Sequence, residues 1–284
     1  MTTTSSLPDL LLKPYVEAAL LEDLGRRGDI TSIAIIEEST SSTLHIVSRE
    51  NGIIAGIDLA RLAFHAIDPN IQFTANVKDG AIITAGMVLA KVSGNARSLL
   101  TAERTALNFM THLSGIATEV ANIKAEIEEF PTEITCTRKT LPGLRILQKY
   151  AVRIGGGRNH RMGLDDAILI KDNHIAIAGG DITTAIQRAK EFAGHLIAIE
   201  VEVDTIEQLK HALDAGVNLV LLDNMPPEKL REAVALCKGK CQTEASGGIS
   251  PKTVKEVAAT GVDFIAMGWL THSVKSLDIG LDYC

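Results

Sequence analysis

The chain has 284 residues, 46% hydrophobic and 22% charged, ordinary globular usage that excludes disorder and fibrous architectures. At this length one hydrophobic core nears its growth limit, so two domains are expected. A formal net charge of −7 argues against a surface built as a whole for nucleic acid or anionic lipid. Apolar runs such as residues 167–170 and 219–222 are far too short to span a bilayer. No positive charge stands in residues 1–6, and Lys13-Pro14 interrupts the apolar stretch that follows, so no secretory signal is expected. Cys136, Cys237, Cys241 and Cys284 are too few for a disulfide framework and lack zinc-knuckle spacing; they read as reduced thiols packed as small hydrophobes. A cytoplasmic protein is the expectation.

Residues 43–92 read as an α+β pattern. Residues 44–47 form a strand and 59–67 a helix, and residues 71–77 and 82–92 flank an Asp79-Gly80 turn as a hairpin. A long helix follows, with Leu107, Met110, Leu113, Ala117, Val120, Ile123 and Ile127 at spacings of three and four on one face. After Pro131 the pattern becomes alternating βα units. Residues 134–137, 167–170, 196–203, 219–222 and 264–267 read as buried parallel strands, with 242–246 a weaker sixth. Asp204 precedes Glu207 by capping-box spacing, and Ser250-Pro251 reads as a cap with a first-turn proline. Gly216 and Gly261 are placed to end two helices.

The strand ends carry the chemistry. Glu200, Asp223, Ser246 and Gly268 recur at intervals of 23, 23 and 22 residues, each at or just past a strand's carboxyl end. Polar residues at every carboxyl end suit the active-site face of an α/β barrel, whereas an open doubly wound sheet needs them at one switch point. The fold class is therefore α/β: an N-terminal α+β sandwich-like domain over residues 1–115, to which residues 270–284 return, then an incomplete parallel α/β barrel of six to seven strands over residues 116–269.

Residues 138–171 hold eight basic and two acidic side chains, a local +6 in an acidic chain. Tyr150 is the lone aromatic there, too few stacking surfaces for nucleic acid. A pocket for a small, highly charged anion fits better. Arg138, Arg161 and Lys171 form its basic side, and guanidinium forks imply more than one carboxylate or phosphate on the ligand. Gly155-Gly156-Gly157 lacks dinucleotide spacing and reads as a mobile loop delivering His160 and Arg161. Ser246-Gly247-Gly248 and Met267-Gly268-Trp269 follow the last two strands, where glycine loops admit a phosphate to backbone N–H groups, helped by the dipole of a helix after Ser250. Glu200 and Glu202 face the same side of one strand and, with Asp223, suit Mg²⁺. An ion pair with Lys171 or Lys139 is the alternative for one of them.

In these segments the chain resembles the quinolinate phosphoribosyltransferases (carboxylating nicotinate-nucleotide pyrophosphorylases). The matches are Glu22-Asp23, Gly28-Asp29-Ile30-Thr31, residues 103–108, Thr137-Arg138-Lys139-Thr140, residues 155–161 and 170–174, Glu200-Val201-Glu202, Asp223-Asn224, Ser246-Gly247-Gly248-Ile249 and Thr271-His272-Ser273, covering nearly the whole chain in order. The resemblance implies transfer of phosphoribose from 5-phosphoribosyl 1-pyrophosphate to quinolinate, with decarboxylation, in NAD biosynthesis. It implies a homodimer or larger assembly of dimers. It implies that Thr137, Arg138, His160, Arg161 and Lys171 bind the dicarboxylate together with Arg104 of the partner subunit. Lys139, Glu200 and Asp223 then serve phosphoribosyl pyrophosphate and its Mg²⁺, Lys171 joins them as catalytic, and the loops at Ser246, Gly247, Gly248 and at Met267, Gly268, Trp269 hold the 5′-phosphate. Trp269 departs from the small residue expected beside that loop. The rival readings are a paralogue acting on another aromatic acid, a Schiff-base lyase using Lys171, and a non-catalytic anion- or RNA-binding barrel.

Overall fold

The computed structural model describes residues 6–283; residues 1–5, where the leader reading begins, and the Cys284 thiol lie outside them. In chain order the elements are α1 (Asp9–Leu24), α2 (Ile30–Ile35), β1 (Ser41–Ser48), β2 (Gly52–Ile53), α3 (Ile57–Ile67), β3 (Gln72–Ala75), β4 (Ile82–Ile83), β5 (Val88–Asn95) and the long α4 (Ala96–Glu126). There follow β6 (Glu133–Thr135), α5 (Arg145–Ile154), β7 (Ile168–Ile170), α6 (Asp172–Ile177), α7 (Ile182–Phe192), β8 (Ile199–Val203) and α8 (Ile206–Asp214). The chain closes with β9 (Leu219–Asp223), α9 (Pro227–Cys237), β10 (Gln242–Ser246), α10 (Val254–Ala258), β11 (Phe264–Ala266), α11 (Trp269–His272) and β12 (Ile279–Tyr283). No described helix is long and apolar enough to cross a membrane.

Two units form. The first takes the chain through Ala121, Ile146–Gly156 and the segment from Ser273; the second takes Asn122–Arg145 and Gly157–His272. In the first, an antiparallel sheet runs in the order β12-β1-β5-β3, and β12 adds its edge by pairing Leu44 with Tyr283. Alternation along β1 and β5 buries Leu44 and Ile46 on one and Ala90 and Val92 on the other, and Phe64 of α3 is buried with its ring centroid 6.0 Å from that of Phe73. The apolar stripe of α4 is wholly buried from Leu107 to Ile123, and Ile127, one residue past the helix, is buried too. Pro14 does not stop α1. The bond it removes is that of the Leu10 carbonyl, and Leu10 is exposed to water.

Two sequence expectations are corrected here. Asp79-Gly80 is a turn, with Ala81 N–H donating to the Lys78 carbonyl, but it does not join a simple hairpin. The expected second strand breaks at a turn where Met87 N–H donates to Thr84, so β4 pairs with β2 in a separate ribbon and only β5 pairs with β3. Helix α5, read as part of the barrel, belongs to the first unit. There the Tyr150 hydroxyl donates to Asp79 at 2.7 Å, and Gln148 and His112 meet at 2.9 Å.

Asp79 explains the local order. Its carboxylate accepts from the N–H groups of Gly56 and Ile57 as well as from Tyr150, capping α3 from a distant loop because Gly56 has no side-chain cap of its own. Burial outweighs these bonds and holds its carboxyl above the usual aspartate range. Asp79→Ala would strand three donors at once. We expect a loss of about 2–4 kcal/mol of unfolding free energy, read as a lower urea midpoint at unchanged slope.

In the second unit, six parallel strands lie in the order β6-β11-β10-β9-β8-β7, so the consecutive strands β6 and β7 are the two free edges. A barrel closed by strand pairing would join them; here segment 158–161 does so. Arg158 exchanges backbone bonds with Ile134 and Cys136 beside β6, and the Arg161 guanidinium donates to the Ala167 carbonyl just before β7. The glycine run expected to be a mobile loop thus leads into a strut. Cys136 and Cys237 are buried, Cys241 is half-buried, and none of the three is in a disulfide. Burial pushes Cys237 up to about 12, as befits an inert packed thiol.

Candidate active site

Parallel register decides which side chains share the barrel interior. Glu200 lies opposite Leu219 and Glu202 opposite Leu221, while Glu244 also lies opposite Leu221 and Ser246 opposite Asp223. Residues in register face the same side, so β8, β9 and β10 present Glu200, Glu202, Asp223, Glu244 and Ser246 together. Their depths differ. Asp223 stands four residues further along its strand than the partner of Glu200, roughly 13 Å at the rise of a strand.

At the deeper level His160, on the strut, meets two buried carboxylates. Its Nε2 lies 2.8 Å from Glu200 and 3.6 Å from Glu244, and its Nδ1 accepts the Arg161 N–H at 2.8 Å. The two glutamates come from alternate strands, β8 and β10, as the layered filling of a barrel requires. Glu200 Oε1 is buried without a hydrogen bond, an orphan acceptor that invites a cation or a donor. Glu244 was not among the residues singled out from sequence. In Gln242-Thr243-Glu244-Ala245-Ser246 no apolar alternation marks which side faces inward.

Arg161 and Arg138 lie close enough to repel. Burial first, then the Arg138 guanidinium, lowers Arg161 below the ordinary arginine range, and Glu200 opposes the shift. Arg138 Nε is buried without a partner. Two like charges held this close, with the Arg138 Nε unsatisfied, suit an anion that carries more than one acidic group. Lys171, just past β7, pairs with Glu202 at 2.6 Å. Of the two β8 carboxylates, Glu202 is thus the one engaged by a lysine. An exposed lysine held by a carboxylate lacks the dry apolar pocket of a Schiff-base nucleophile.

Next to Arg138 and past the end of β6, Lys139 lies against the loop after the neighbouring β11. A Cβ on Gly268 would come within 2.8 Å of Lys139 Cδ, 3.3 Å of Thr137 Oγ1 and 3.4 Å of His272 Nε2, so only glycine leaves these three side chains where they are. Thr137 accepts the Lys139 N–H, and the Thr271 hydroxyl donates to the Lys139 carbonyl at 2.8 Å. Met267 is buried, its N–H on the Thr135 carbonyl, and Trp269 opens α11 half-buried. His272 joins this cluster although no role was assigned to it from sequence.

Two expected caps shift. Helix α8 is capped by Thr205 with Gln208, not by Asp204 with Glu207, because the threonine hydroxyl sits one residue closer to the first turn. Asp204 is left facing Asp223 and Asp172; burial, then these two carboxylates, raises its carboxyl. Ser250-Pro251 opens a turn closed by Thr253, and α10 begins only at Val254 and lasts five residues. Little helix dipole therefore reaches the Gly247-Gly248 loop, contrary to the expectation of a helix aiding it. Arg104 lies exposed on α4 in the first unit.

An open α/β barrel that gathers two guanidiniums and several carboxylates at its strand ends suits a polyanionic substrate. Comparison narrows the class. Residues 29–114 match the model for the quinolinate phosphoribosyl transferase N-terminal domain, and residues 116–282 that for the C-terminal domain. A probable nicotinate-nucleotide pyrophosphorylase (carboxylating) of Bacillus subtilis strain 168 is 45% identical over 96% of this chain and 93% of its own length. The chloroplastic enzyme of that name from Arabidopsis thaliana is 42% identical over 97% and 84%. The solved nicotinate-nucleotide pyrophosphorylase of Francisella tularensis superposes with a TM-score of 0.94 at 39% identity, over the whole of both chains. The chain belongs to the quinolinate phosphoribosyltransferase family.

Proposed function

We propose that this chain transfers phosphoribose from 5-phosphoribosyl 1-pyrophosphate to quinolinate, forming nicotinate mononucleotide, pyrophosphate and CO₂ as a step of NAD biosynthesis in the cytoplasm. The observation that carries the proposal is the half-buried Arg138–Arg161 pair, with its unpartnered Nε, in a chain of this family. A dicarboxylate offers an anionic group to each guanidinium of such a pair. Thr137, His160 and Lys171 border it, and Arg104 of the partner subunit completes it in a homodimer.

The ring nitrogen of quinolinate attacks C1′, the bond from C1′ to the pyrophosphate oxygen breaks, and positive charge grows on the ribosyl carbon. Glu200, buried and short of one hydrogen bond, stabilises that charge. Lys139 faces the departing pyrophosphate, while the N–H groups of Gly247, Gly248 and Gly268 hold the 5′-phosphate. Asp223 fits Mg²⁺ by the hardness of its oxygens and by its crowding with Asp204 and Asp172, which a divalent cation would relieve; Glu200, four residues deeper in register, does not share that ion. Bound there, the ion supplies charge neutralisation at pyrophosphate oxygens. Once the ring nitrogen is quaternary, its positive charge stabilises the electron pair left on C2 when the bond to the adjacent carboxylate breaks; CO₂ leaves, and that carbon takes a proton from water. The protein positions and desolvates that carboxylate. No general base is required of it.

Pyrophosphate release across a panel of pyridine carboxylates tests the reading. Nicotinate has one carboxylate and leaves part of the arginine cluster unpaired, at about 3–5 kcal/mol. Quinolinate should therefore exceed it by about two decades or more in kcat/KM. Comparable values for the two acids would falsify the dicarboxylate assignment.

A further inference from the structure

Asn224 follows Asp223 at the end of β9 and is the one non-glycine residue with positive φ (52°) among the described residues. A side chain held there is in a conformation that glycine adopts more freely. Three contacts show what it does. Its Nδ2 donates to Asp223 Oδ2 at 2.6 Å, and because a carboxylate only accepts, this orientation of the amide is fixed. Its backbone N–H donates to the Ser246 carbonyl at 2.9 Å, tying the ends of β9 and β10 together. Its amide also fills the space beside Gly247. A Cβ on that glycine would fall onto Asn224 Oδ1, 2.5 Å from Cγ and 2.8 Å from the backbone nitrogen.

We propose that Asn224 is a positioning residue for phosphoribosyl transfer, its one side chain aiming the Asp223 carboxylate and spacing it from the glycine loop at Gly247. The inference rests on the function proposed above, in which Asp223 and that loop serve the pyrophosphate and 5′-phosphate ends of the same substrate. A rigid spacer between the two end-binding elements fixes where C1′ lies between them.

Asn224→Gly separates this role from that of a turn residue. Glycine adopts the same backbone without strain, so a turn role predicts unchanged turnover and a melting temperature equal to or above wild type. The positioning role predicts kcat lower by about tenfold or more, with the quinolinate KM within about twofold of wild type. It also predicts Mg²⁺-dependent binding of inorganic pyrophosphate, followed by calorimetry, weaker by about fivefold. Asn224→Asp keeps the shape and the left-handed tolerance but offers Asp223 a carboxylate in place of a donor, so it should be impaired as well. Wild-type turnover and pyrophosphate affinity in either variant overturn the proposal, as does a fall in kcat matched by equal losses of quinolinate affinity and melting temperature. A wild-type protein that releases no pyrophosphate with any pyridine carboxylate would instead refute the functional reading, and the calorimetric comparison would still decide the role of Asn224.

Discussion

Lys139→Ala and Arg104→Ala homodimers are each expected to lose about a hundredfold or more in turnover, and to recover activity when mixed. Lys139 lies against the Gly268 loop of the second unit and, in the proposed mechanism, meets the departing pyrophosphate, where losing one fixed donor typically costs two to three decades. Arg104 lies on α4 in the first unit, and its proposed partner is the dicarboxylate in the neighbour's barrel. If each site takes Arg104 from one subunit and Lys139 from the other, two-fold symmetry gathers both defects of a hybrid dimer into one site and leaves the other intact. With random pairing at equal amounts, half the dimers are hybrid and about a quarter of all sites recover. Absence of recovery, with subunit exchange verified by mass spectrometry, places Arg104 in its own subunit's site.

Glu200→Gln and Asp223→Asn should lower kcat by about a hundredfold while changing quinolinate affinity little. The register sets Glu200 deep beside His160 and Asp223 at the rim, so neither replaces the other. In the proposed mechanism both act on charge that develops as the C1′ bond breaks, and interactions confined to the transition state appear in kcat. Saturating Mg²⁺ should not restore either variant. Near-wild-type kcat in Asp223→Asn or Glu200→Gln under those conditions would remove that residue from the mechanism.

The second unit is the more legible half of the chain. Short apolar runs ending in Lys171, Glu202 or Asp223 announce parallel strands with a polar mouth, because period and burial are local properties of each segment. Five of the six strands overlap such runs, the polar β10 falls on the weaker 242–246 stretch, and Arg138 and Lys139 follow from their positions past a strand end. What local pattern does not carry is partnership across the fold. Asp79 reads as a turn residue, yet its work is to cap a helix that begins 22 residues earlier, at Ile57. Helix α5 has an ordinary amphipathic sequence, and only its contacts at Tyr150 and Gln148 assign it to the first unit. Glu244 stays hidden because a lone acidic residue on a polar strand looks solvent-facing until His160 is brought against it. Thr205 displaces Asp204 as a cap by one residue, a margin that competition between adjacent capping side chains decides.

The central claim is that one site couples ribosyl transfer to loss of the neighbouring carboxylate. Quinolinate labelled in its 2-carboxyl carbon, incubated with phosphoribosyl pyrophosphate and Mg²⁺, should release labelled CO₂ and pyrophosphate at about one to one throughout the time course, since decarboxylation follows from the quaternary nitrogen that transfer creates. Pyrophosphate release with the label retained in the nucleotide product would contradict the account.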